Sequence, residues 1–326
     1  MSERQVFIVG TGRTGSTVLR NILGEHSKIF SYPKELRFFT DCDGLFNLIR
    51  YLTDQWNPFN ASLAIHRFRS LLLDELWSEA TYERVKSEVF ARTTGGTPRR
   101  YAGIDMSEII PRSFCRETLD DFLGELATAR PGSWYGSPPY QRHPTMYVTK
   151  PRSRDELYSK SGEFVDTLLS YPLEEGRDKC WCDDTPINIM NAEGIIRMFE
   201  EPRLIHLYRD PRDVVASYMD ERQMWAPNDP ETAATWVLEI MRKWWEQRDR
   251  IPDLSFREVK YEELVRQQRV HMQKIADFLD LNAEDSLTSI ELKETSIGRH
   301  QQEMNDKTRS NVESIVRPIL DEYGYE

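Results

Sequence analysis

Residues 6–17 read Val-Phe-Ile-Val-Gly-Thr-Gly-Arg-Thr-Gly-Ser-Thr, and this stretch decides the fold of the chain. The apolar run that opens it, rich in β-branched residues, predicts a short buried strand. The glycines that follow turn the chain, and apolar residues at positions 18, 19, 22 and 23 then recur at helical spacing. A strand, a glycine-rich turn and a helix N-terminus aim backbone N–H groups and a positive dipole end at one point. The stretch therefore predicts an anion site, and a phosphate group is the anion that suits it.

One position separates this stretch from a nucleotide-triphosphate P-loop. Gly10 and Gly15 have the separation of the pattern G-x-x-x-x-G-K-[ST], but Ser16 stands where the P-loop has its lysine. Arg13 lies inside the loop, where its guanidinium can clamp one phosphate group, whereas the lysine used in γ-phosphoryl transfer is missing. A nucleotide or small-molecule kinase stays open as an alternative. So does a non-catalytic nucleotide-binding module, or a turn whose glycines serve packing alone.

Composition and charge narrow the class of protein. The chain has 326 residues, enough for one large α/β domain or two small ones, and 39% of them are hydrophobic, which indicates an ordinary packed core instead of disorder. A net charge of −11 argues against a nucleic acid or an anionic membrane as a partner. The sequence shows no leader-like segment and no apolar run of membrane-spanning length, so we predict a cytoplasmic protein. The cysteines form no C-x-x-C pair and match no zinc spacing, so we expect reduced thiols and no metal.

A second stretch with possible chemistry follows the next strand. It reads Lys34-Glu35-Leu36-Arg37-Phe38-Phe39. Glu35 lies between two cations and among apolar residues, so its carboxylate can stay ionised while partly desolvated, which suits a general base. A surface salt bridge at the end of a strand is the alternative that composition alone favours.

The third stretch lies at residues 203–218 and combines a strand with a capped helix. The strand ends at Arg209, Asp210 is placed to cap the next helix, and Asp213 completes a pattern like a capping box. Ser217 lies on the inner face of that helix, so a guanidinium at the end of the strand can meet its hydroxyl. The pair of Arg209 and Ser217 would hold one further phosphate group, although a capped helix with no ligand gives the same pattern.

Together these stretches resemble the PAPS-dependent sulfotransferases, which use 3′-phosphoadenosine 5′-phosphosulfate (PAPS) as donor. Residues 13–17 are similar to the loop that binds the 5′-phosphosulfate group in that family. Arg209, followed eight residues later by Ser217, is similar to its 3′-phosphate motif. The Glu35 segment resembles the catalytic-glutamate segment of heparan-sulfate and tyrosylprotein sulfotransferases, and residues 181–186 resemble a Trp-Gly-Asp-Lys-Thr-Pro segment of bacterial members.

The resemblance implies an activity and a set of roles. The reaction would be sulfuryl transfer from PAPS to a hydroxyl group, less readily an amine, of a small-molecule acceptor. It would leave adenosine 3′,5′-bisphosphate and need no metal. Glu35 would be the general base, with Arg13 and Arg37 as further catalytic residues near the transferring group. The donor-binding residues would be Arg13, Thr14, Gly15, Ser16, Thr17, Arg209, Ser217 and Arg299.

Two further residues are candidates for the acceptor side. Asp184 stands where many relatives have a lysine, so it could receive a polar or cationic acceptor or act as a second carboxylate beside Glu35. A helix-capping role for Asp183 or Asp184 before Pro186 is an equally good interpretation. His143 lies in a loop rich in aromatic residues and is an alternative base.

The predicted fold is α/β, with a P-loop-like, mostly parallel central sheet flanked by helices. We predict strands near residues 5–9, 28–32, 179–182, 203–208 and 256–260, and a helix over 187–199. We expect a single sulfotransferase domain over residues 1–326. A helical and loop insertion after the second strand, about 44–178, would shape the acceptor pocket. The ligand should bind beyond the carboxyl ends of the strands.

Overall fold

The apolar run at residues 6–9 lies inside the first strand, as predicted. The computed structural model describes residues 4–78, 101, 104–131, 145–173, 180–220, 227–292 and 294–326. The strands are β1 Arg4–Val9, β2 Ile29–Ser31, β3 Thr128–Pro131, β4 Thr145–Val148, β5 Cys180–Asp183, β6 Arg203–Tyr208 and β7 Phe256–Lys260. The α-helices are α1 Ser16–Gly24, α2 Leu45–Leu52, α3 Pro58–Ser70, α4 Arg112–Leu126, α5 Arg154–Leu169, α6 Ala192–Met198, α7 Pro211–Asp220, α8 Pro230–Arg248, α9 Tyr261–Arg266, α10 Gln268–Phe278, α11 Arg299–Glu303 and α12 Asp306–Tyr323.

The central sheet has five strands in the order β2-β5-β1-β6-β7. Every neighbouring pair in it is parallel, with Val6 opposite Cys182 on one side of β1 and Ile8 opposite Ile205 on the other. This arrangement confirms the predicted α/β class, and all five predicted strands occur within one or two residues of the expected bounds. The carboxyl ends of β1, β5, β6 and β7 meet at one edge of the sheet, where the motifs begin.

The predicted helix over 187–199 is wrong in its first half. Residues Pro186–Asn191 form a 3-10 helix, and the α-helix α6 starts only at Ala192. The tighter turns follow from the hydrogen bonds of Asp183, which hold residues 185 and 188 close to the end of β5.

The chain divides into two compact units. The first comprises residues 1–36, 173–196 and 200–326 and contains the central sheet; the second comprises residues 37–172 and 197–199. In the first unit, Val6 and Ile8 of β1 pack in one apolar cluster with Leu19 and Ile22 of α1. In the second unit, the ring of Phe122 in α4 stacks on that of Phe164 in α5 with centroids 4.6 Å apart. The predicted single-domain organisation over residues 1–326 stays a prediction.

A buried polar cluster joins four elements of the first unit. Glu258 of β7 accepts hydrogen bonds at Oε1 from His206 Nδ1 at 2.9 Å, Trp244 Nε1 at 2.9 Å and Tyr323 Oη at 2.8 Å. Burial alone would raise the pKa of Glu258, but these hydrogen bonds and the nearby His206 outweigh it and lower the pKa to about 2. The carboxylate therefore ties α8 and α12 to the sheet.

The low pKa of Glu258 makes this cluster sensitive to acid. A carboxyl whose pKa is lower in the folded chain stabilises it fully above its ordinary pKa of 4.5, and that stabilisation is lost as the pH falls towards 2. Wild type and Glu258→Gln should differ in their free energy of unfolding. We expect this difference to be about 3 kcal/mol smaller at pH 2 than at pH 5. Denaturant titrations at each pH measure the difference. Glu246→Gln, at an exposed site on α8, is the control and should follow the wild-type profile. Parallel curves for wild type and Glu258→Gln would contradict the assignment.

Candidate functional site

The loop between β1 and α1 has the backbone of an anion cradle. Gly12, Arg13 and Gly15 adopt φ values of 77°, 57° and 93°. This left-handed region favours glycine, and space requires glycine as well. A Cβ at Gly15 would lie 2.7 Å from the ring of Tyr261, and one at Gly12 would lie 2.7 Å from the hydroxyl of Tyr218. The loop therefore depends on these two glycines.

The N-terminus of α1 opens directly from this loop. The N-cap residue Gly15 offers no side-chain hydrogen bond, and the first turn holds no acidic residue. The first backbone hydrogen bonds of the helix are donated by Val18 and Leu19 to the carbonyl of Gly15. The N–H groups that precede them, together with the helix dipole, favour an anion at this position.

A buried hydroxyl in the loop gives independent support for a ligand. Thr14 is 1% exposed, and its Oγ1 has no hydrogen-bond partner within the ranges that the structure describes. Buried polar atoms are rarely left in this state, because a lost hydrogen bond costs about 1–3 kcal/mol. An oxygen atom of a bound phosphate group would satisfy Thr14.

The two predicted phosphate-binding stretches meet at a pair of arginines. Arg13 Nε donates to Ser217 Oγ at 3.1 Å, and Arg209 Nη1 donates to the backbone carbonyl of Arg13 at 3.0 Å. We expected Arg209 itself to meet Ser217, and this detail is wrong. The guanidinium of Arg209 is held instead by the carbonyls of Arg13 and Ser296 and by Asp213 at 3.6 Å. The arginine that bonds to Ser217 is therefore Arg13.

The buried guanidinium of Arg209 can still donate a hydrogen bond to a ligand. The residue is 6% exposed, its guanidinium carbon lies 5.1 Å from the centre of the Tyr261 ring, and its Nε has no hydrogen-bond partner among the described residues. Tyr261, the first residue of α9, thus touches both Arg209 and Gly15. The sequence analysis missed it. Its place just after the carboxyl end of β7 could have indicated it, since the carboxyl ends of parallel strands gather at one edge.

The start of α7 is capped by one of the two predicted carboxylates. Asp210 accepts a hydrogen bond from the N–H of Arg212 at 2.9 Å, as a capping residue does. The predicted capping-box role of Asp213 is wrong, because its carboxylate accepts from Gly298 N at 2.7 Å and from His300 N and Nδ1 at 3.0 and 2.6 Å. Burial acts to raise the pKa of Asp213, but the hydrogen bonds from residues 298 and 300 outweigh it and lower that pKa.

The segment that Asp213 holds contains the predicted donor-binding residue Arg299. Its guanidinium is paired with Glu303 one turn later, at 2.7 and 3.1 Å. Donor binding by Arg299 stays a prediction, and it would need this guanidinium to exchange Glu303 for phosphate.

At the carboxyl end of β5, Asp183 fixes the position of the Glu35 segment. Its Oδ1 accepts from the N–H of Leu36 at 3.2 Å and from Thr185 Oγ1 at 2.7 Å, and its Oδ2 accepts from Asn188 Nδ2 at 2.9 Å. Burial, followed by the charge of Asp184, raises the pKa of Asp183 to about 7. The residue that follows Glu35 is therefore anchored to the sheet.

Asp184 is fully buried and paired with a cation from α1. Arg20 Nη1 donates to Asp184 Oδ1 at 3.1 Å, and Asp184 is 0% exposed. Burial raises the pKa of Asp184, Arg20 opposes this rise, and Glu35 adds to it. The sequence analysis missed Arg20, which carries no motif of its own.

The charges of Glu35 and Arg13 both affect Tyr218, which is bound to the loop between β1 and α1. Burial raises the pKa of Tyr218 to about 12, with Arg13 opposing this rise and Glu35 adding to it. Tyr218 donates a hydrogen bond to the carbonyl of Thr11 at 2.7 Å. Glu35 and Arg13 thus act on one hydroxyl group that is bound to the loop.

Arg37 and His143 are the remaining predicted site residues. Arg37 belongs to the second unit, where its Nε donates to Asp41 Oδ2 at 2.9 Å and Tyr101 donates to the same oxygen at 2.6 Å. Its catalytic role stays a prediction. His143 lies outside the described residues. Over those residues, no group of three or more His, Cys, Asp or Glu could hold a metal, and no helix is long and apolar enough to cross a membrane.

Comparison with known proteins agrees with the fold. The family model described as "Sulfotransferase family" matches residues 5–285. A sulfotransferase domain from the curacin biosynthetic pathway has a TM-score of 0.50 at 15% identity, with 100% of this chain and 99% of that chain covered. Sulfotransferase STF9 from Mycobacterium avium has a TM-score of 0.46 at 17% identity, with 100% and 78% covered. No curated protein matches the sequence.

The close packing of the loop predicts that a methyl group at Gly15 lowers the stability of the chain. Gly15→Ala combines a left-handed backbone with a contact of 2.7 Å to Tyr261. We expect the free energy of unfolding to fall by about 1–3 kcal/mol, measured by denaturant titration. Gly124→Ala in α4 is the matched control, since no atom lies within 4 Å of the position that the new Cβ would take. This variant should not lower stability. Equal stability of Gly15→Ala and wild type would refute the close packing of the loop.

Proposed function

The chain belongs to the sulfotransferase family, and on that premise we propose that it transfers a sulfuryl group from PAPS to a hydroxyl group of a small-molecule acceptor. The observation that carries the proposal is the contact between its two basic stretches, in which Arg209 donates to the carbonyl of Arg13 at 3.0 Å. Two stretches that are in contact and each carry an arginine suit a ligand with two phosphate groups on one nucleoside.

The loop from Gly10 to Thr17 would hold the 5′ end of the donor. Its support is the helix N-terminus without an acidic first turn and the unpartnered hydroxyl of Thr14. The donor supplies the activated sulfuryl group, whose bond to the 5′-phosphate oxygen breaks as the acceptor oxygen bonds to sulfur. Arg13 and the N–H groups of the loop would stabilise the charge that grows on the phosphate, a preorganised electrostatic effect.

Arg209 and Ser217 would hold the 3′-phosphate group. Arg209 is buried and has an unpartnered Nε among the described residues, and Ser217 is 3% exposed. We assign Tyr261 to the same region, because its ring touches both basic stretches. Holding the donor at both ends fixes its orientation, which lowers the entropic cost of the reaction.

Glu35 would accept the proton of the acceptor hydroxyl. Its support is the anchoring of Leu36 by Asp183 at 3.2 Å and the effects of its charge on Asp184 and Tyr218. Asp184 is fully buried and paired with Arg20, which favours a positioning role over direct contact with the acceptor. A cytoplasmic location stays a prediction.

Replacing Glu35 tests the assignment of the base. Glu35→Gln should lower the rate of sulfuryl transfer by about 10²–10⁴-fold, because general base catalysis contributes that much, while affinity for adenosine 3′,5′-bisphosphate stays near wild type. Transfer of labelled sulfur from PAPS to an acceptor found in a metabolite screen gives the rate, and calorimetry gives the affinity. Glu25→Gln, at an exposed residue after α1, is the matched control.

The outcomes separate this proposal from its rivals. Unchanged turnover in Glu35→Gln removes Glu35 from the mechanism. Binding of ATP with Mg²⁺ in preference to the bisphosphate would favour a kinase. Binding of the bisphosphate without transfer to any acceptor would favour a non-catalytic nucleotide-binding module.

Because the hydroxyl of Thr14 has no hydrogen-bond partner among the described residues, removing it should weaken nucleotide binding without lowering stability. Thr14→Val keeps the shape of the side chain, so the thermal midpoint should stay the same or rise, since no hydrogen bond within the described chain is lost. Affinity for adenosine 3′,5′-bisphosphate should fall by about tenfold or more, as expected for a lost bond to a charged group. Thr118→Val in α4 serves as control and should leave affinity unchanged. A lower midpoint with unchanged affinity would contradict the role of Thr14.

A further inference from the structure

The residues after α12 reach back to the start of α7. Tyr325 Oη donates to Glu262 Oε2 at 3.0 Å, and the other oxygen of that carboxylate accepts from the backbone N–H of Asp210 at 2.9 Å. Glu262, the second residue of α9, is only 5% exposed. One buried carboxylate thus connects a tyrosine near residue 326 with the peptide group that follows Arg209.

A second connection runs beside the first. Arg212 donates from Nε and Nη2 to the two oxygens of Asp210 at 3.0 and 2.8 Å, and from Nη2 to the backbone carbonyl of Glu326 at 2.6 Å. The N–H of Asp210 belongs to the peptide bond between Arg209 and Asp210. A hydrogen bond that holds this N–H also fixes the orientation of the peptide plane. It thereby fixes the direction in which the side chain of Arg209 leaves the strand.

We propose that Tyr325 is a positioning residue for the 3′-phosphate group, which it serves by holding Glu262 against the peptide group between Arg209 and Asp210. The inference rests on the proposed function, because it takes the 3′-phosphate as the ligand of Arg209. Tyr325 does not contact the ligand itself. Its hydroxyl keeps the Glu262 carboxylate in the orientation that the N–H of Asp210 requires.

The hydroxyl group can be removed without removing the other contacts of Tyr325. Its N–H caps α12 by donating to the carbonyl of Leu320 at 2.9 Å, and the ammonium of Lys260 lies 4.0 Å from the centre of its ring. Both contacts persist in a phenylalanine. Burial and the neighbouring Glu262 raise the pKa of Tyr325, so the hydroxyl stays a donor over the working pH range.

Nucleotide binding to Tyr325→Phe tests the inference. Calorimetry would compare adenosine 3′,5′-bisphosphate with adenosine 5′-monophosphate, which lacks only the 3′-phosphate. We expect the affinity for the bisphosphate to fall by about five- to tenfold, less than a direct hydrogen bond to a charged ligand is worth because Tyr325 acts through Glu262, and the affinity for the monophosphate to stay within about twofold of wild type. A merely structural role would lower both affinities equally.

Tyr323→Phe is the matched control. Tyr323 also donates to a glutamate of the first unit, Glu258, at 2.8 Å, but that glutamate binds His206 and Trp244 instead of Asp210. This variant should lose a similar amount of thermal stability and keep the wild-type ratio of the two affinities. If Tyr325→Phe does not fold, Glu262→Gln gives the same test. The amide has one acceptor oxygen, so it can accept from Tyr325 or from the N–H of Asp210 but not from both in the way the carboxylate does. The ratio of bisphosphate to monophosphate affinity should therefore fall in this variant as well.

Two results overturn the inference in distinguishable ways. If wild type prefers the bisphosphate but the ratio is unchanged in Tyr325→Phe, Tyr325 has no positioning role and the proposed function stands. If wild type binds both nucleotides equally, Arg209 does not receive a 3′-phosphate, and the proposed function fails together with this inference.

Discussion

The buried guanidinium of Arg209 is the group on which the site depends. A buried charge is costly unless it is paired and hydrogen-bonded, and Arg209 finds its partners in the carbonyls of Arg13 and Ser296 and in Asp213. These partners belong to the loop between β1 and α1, to the segment before α11 and to α7. One cation thus holds together segments that are far apart in the sequence, and it does so at the carboxyl edge of the sheet.

The same constraint explains the residues around it. Tyr261 can lie beside Arg209 only because Gly15 leaves room for its ring, and Tyr218 can bind the loop carbonyl of Thr11 only because Gly12 leaves room for its hydroxyl. At the end of β5, Asp183 holds the Glu35 segment through the N–H of Leu36. Asp184, which is fully buried, is paired with Arg20 from α1.

Local pattern predicted the elements and the order of the motifs, because a buried strand, a glycine turn and a capped helix each depend on neighbours in sequence. It did not predict which atoms pair. Asp213 has the spacing of a capping box, yet donors at residues 298 and 300 take its carboxylate. Arg13 reaches Ser217 across 204 positions of sequence, and no local rule describes such a contact. Tyr325 and Arg20 carry no motif, so only their contacts in the folded chain indicate a role.

We infer that the two basic stretches form one site for one nucleoside with two phosphate groups. The most direct measurement is competition calorimetry on the wild-type chain with adenosine 3′,5′-bisphosphate, adenosine 3′-monophosphate and adenosine 5′-monophosphate. We expect one bisphosphate per chain, bound about 100-fold or more tightly than either monophosphate, and displacement of each monophosphate by it. Simultaneous binding of the two monophosphates, with no advantage for the bisphosphate, would contradict it.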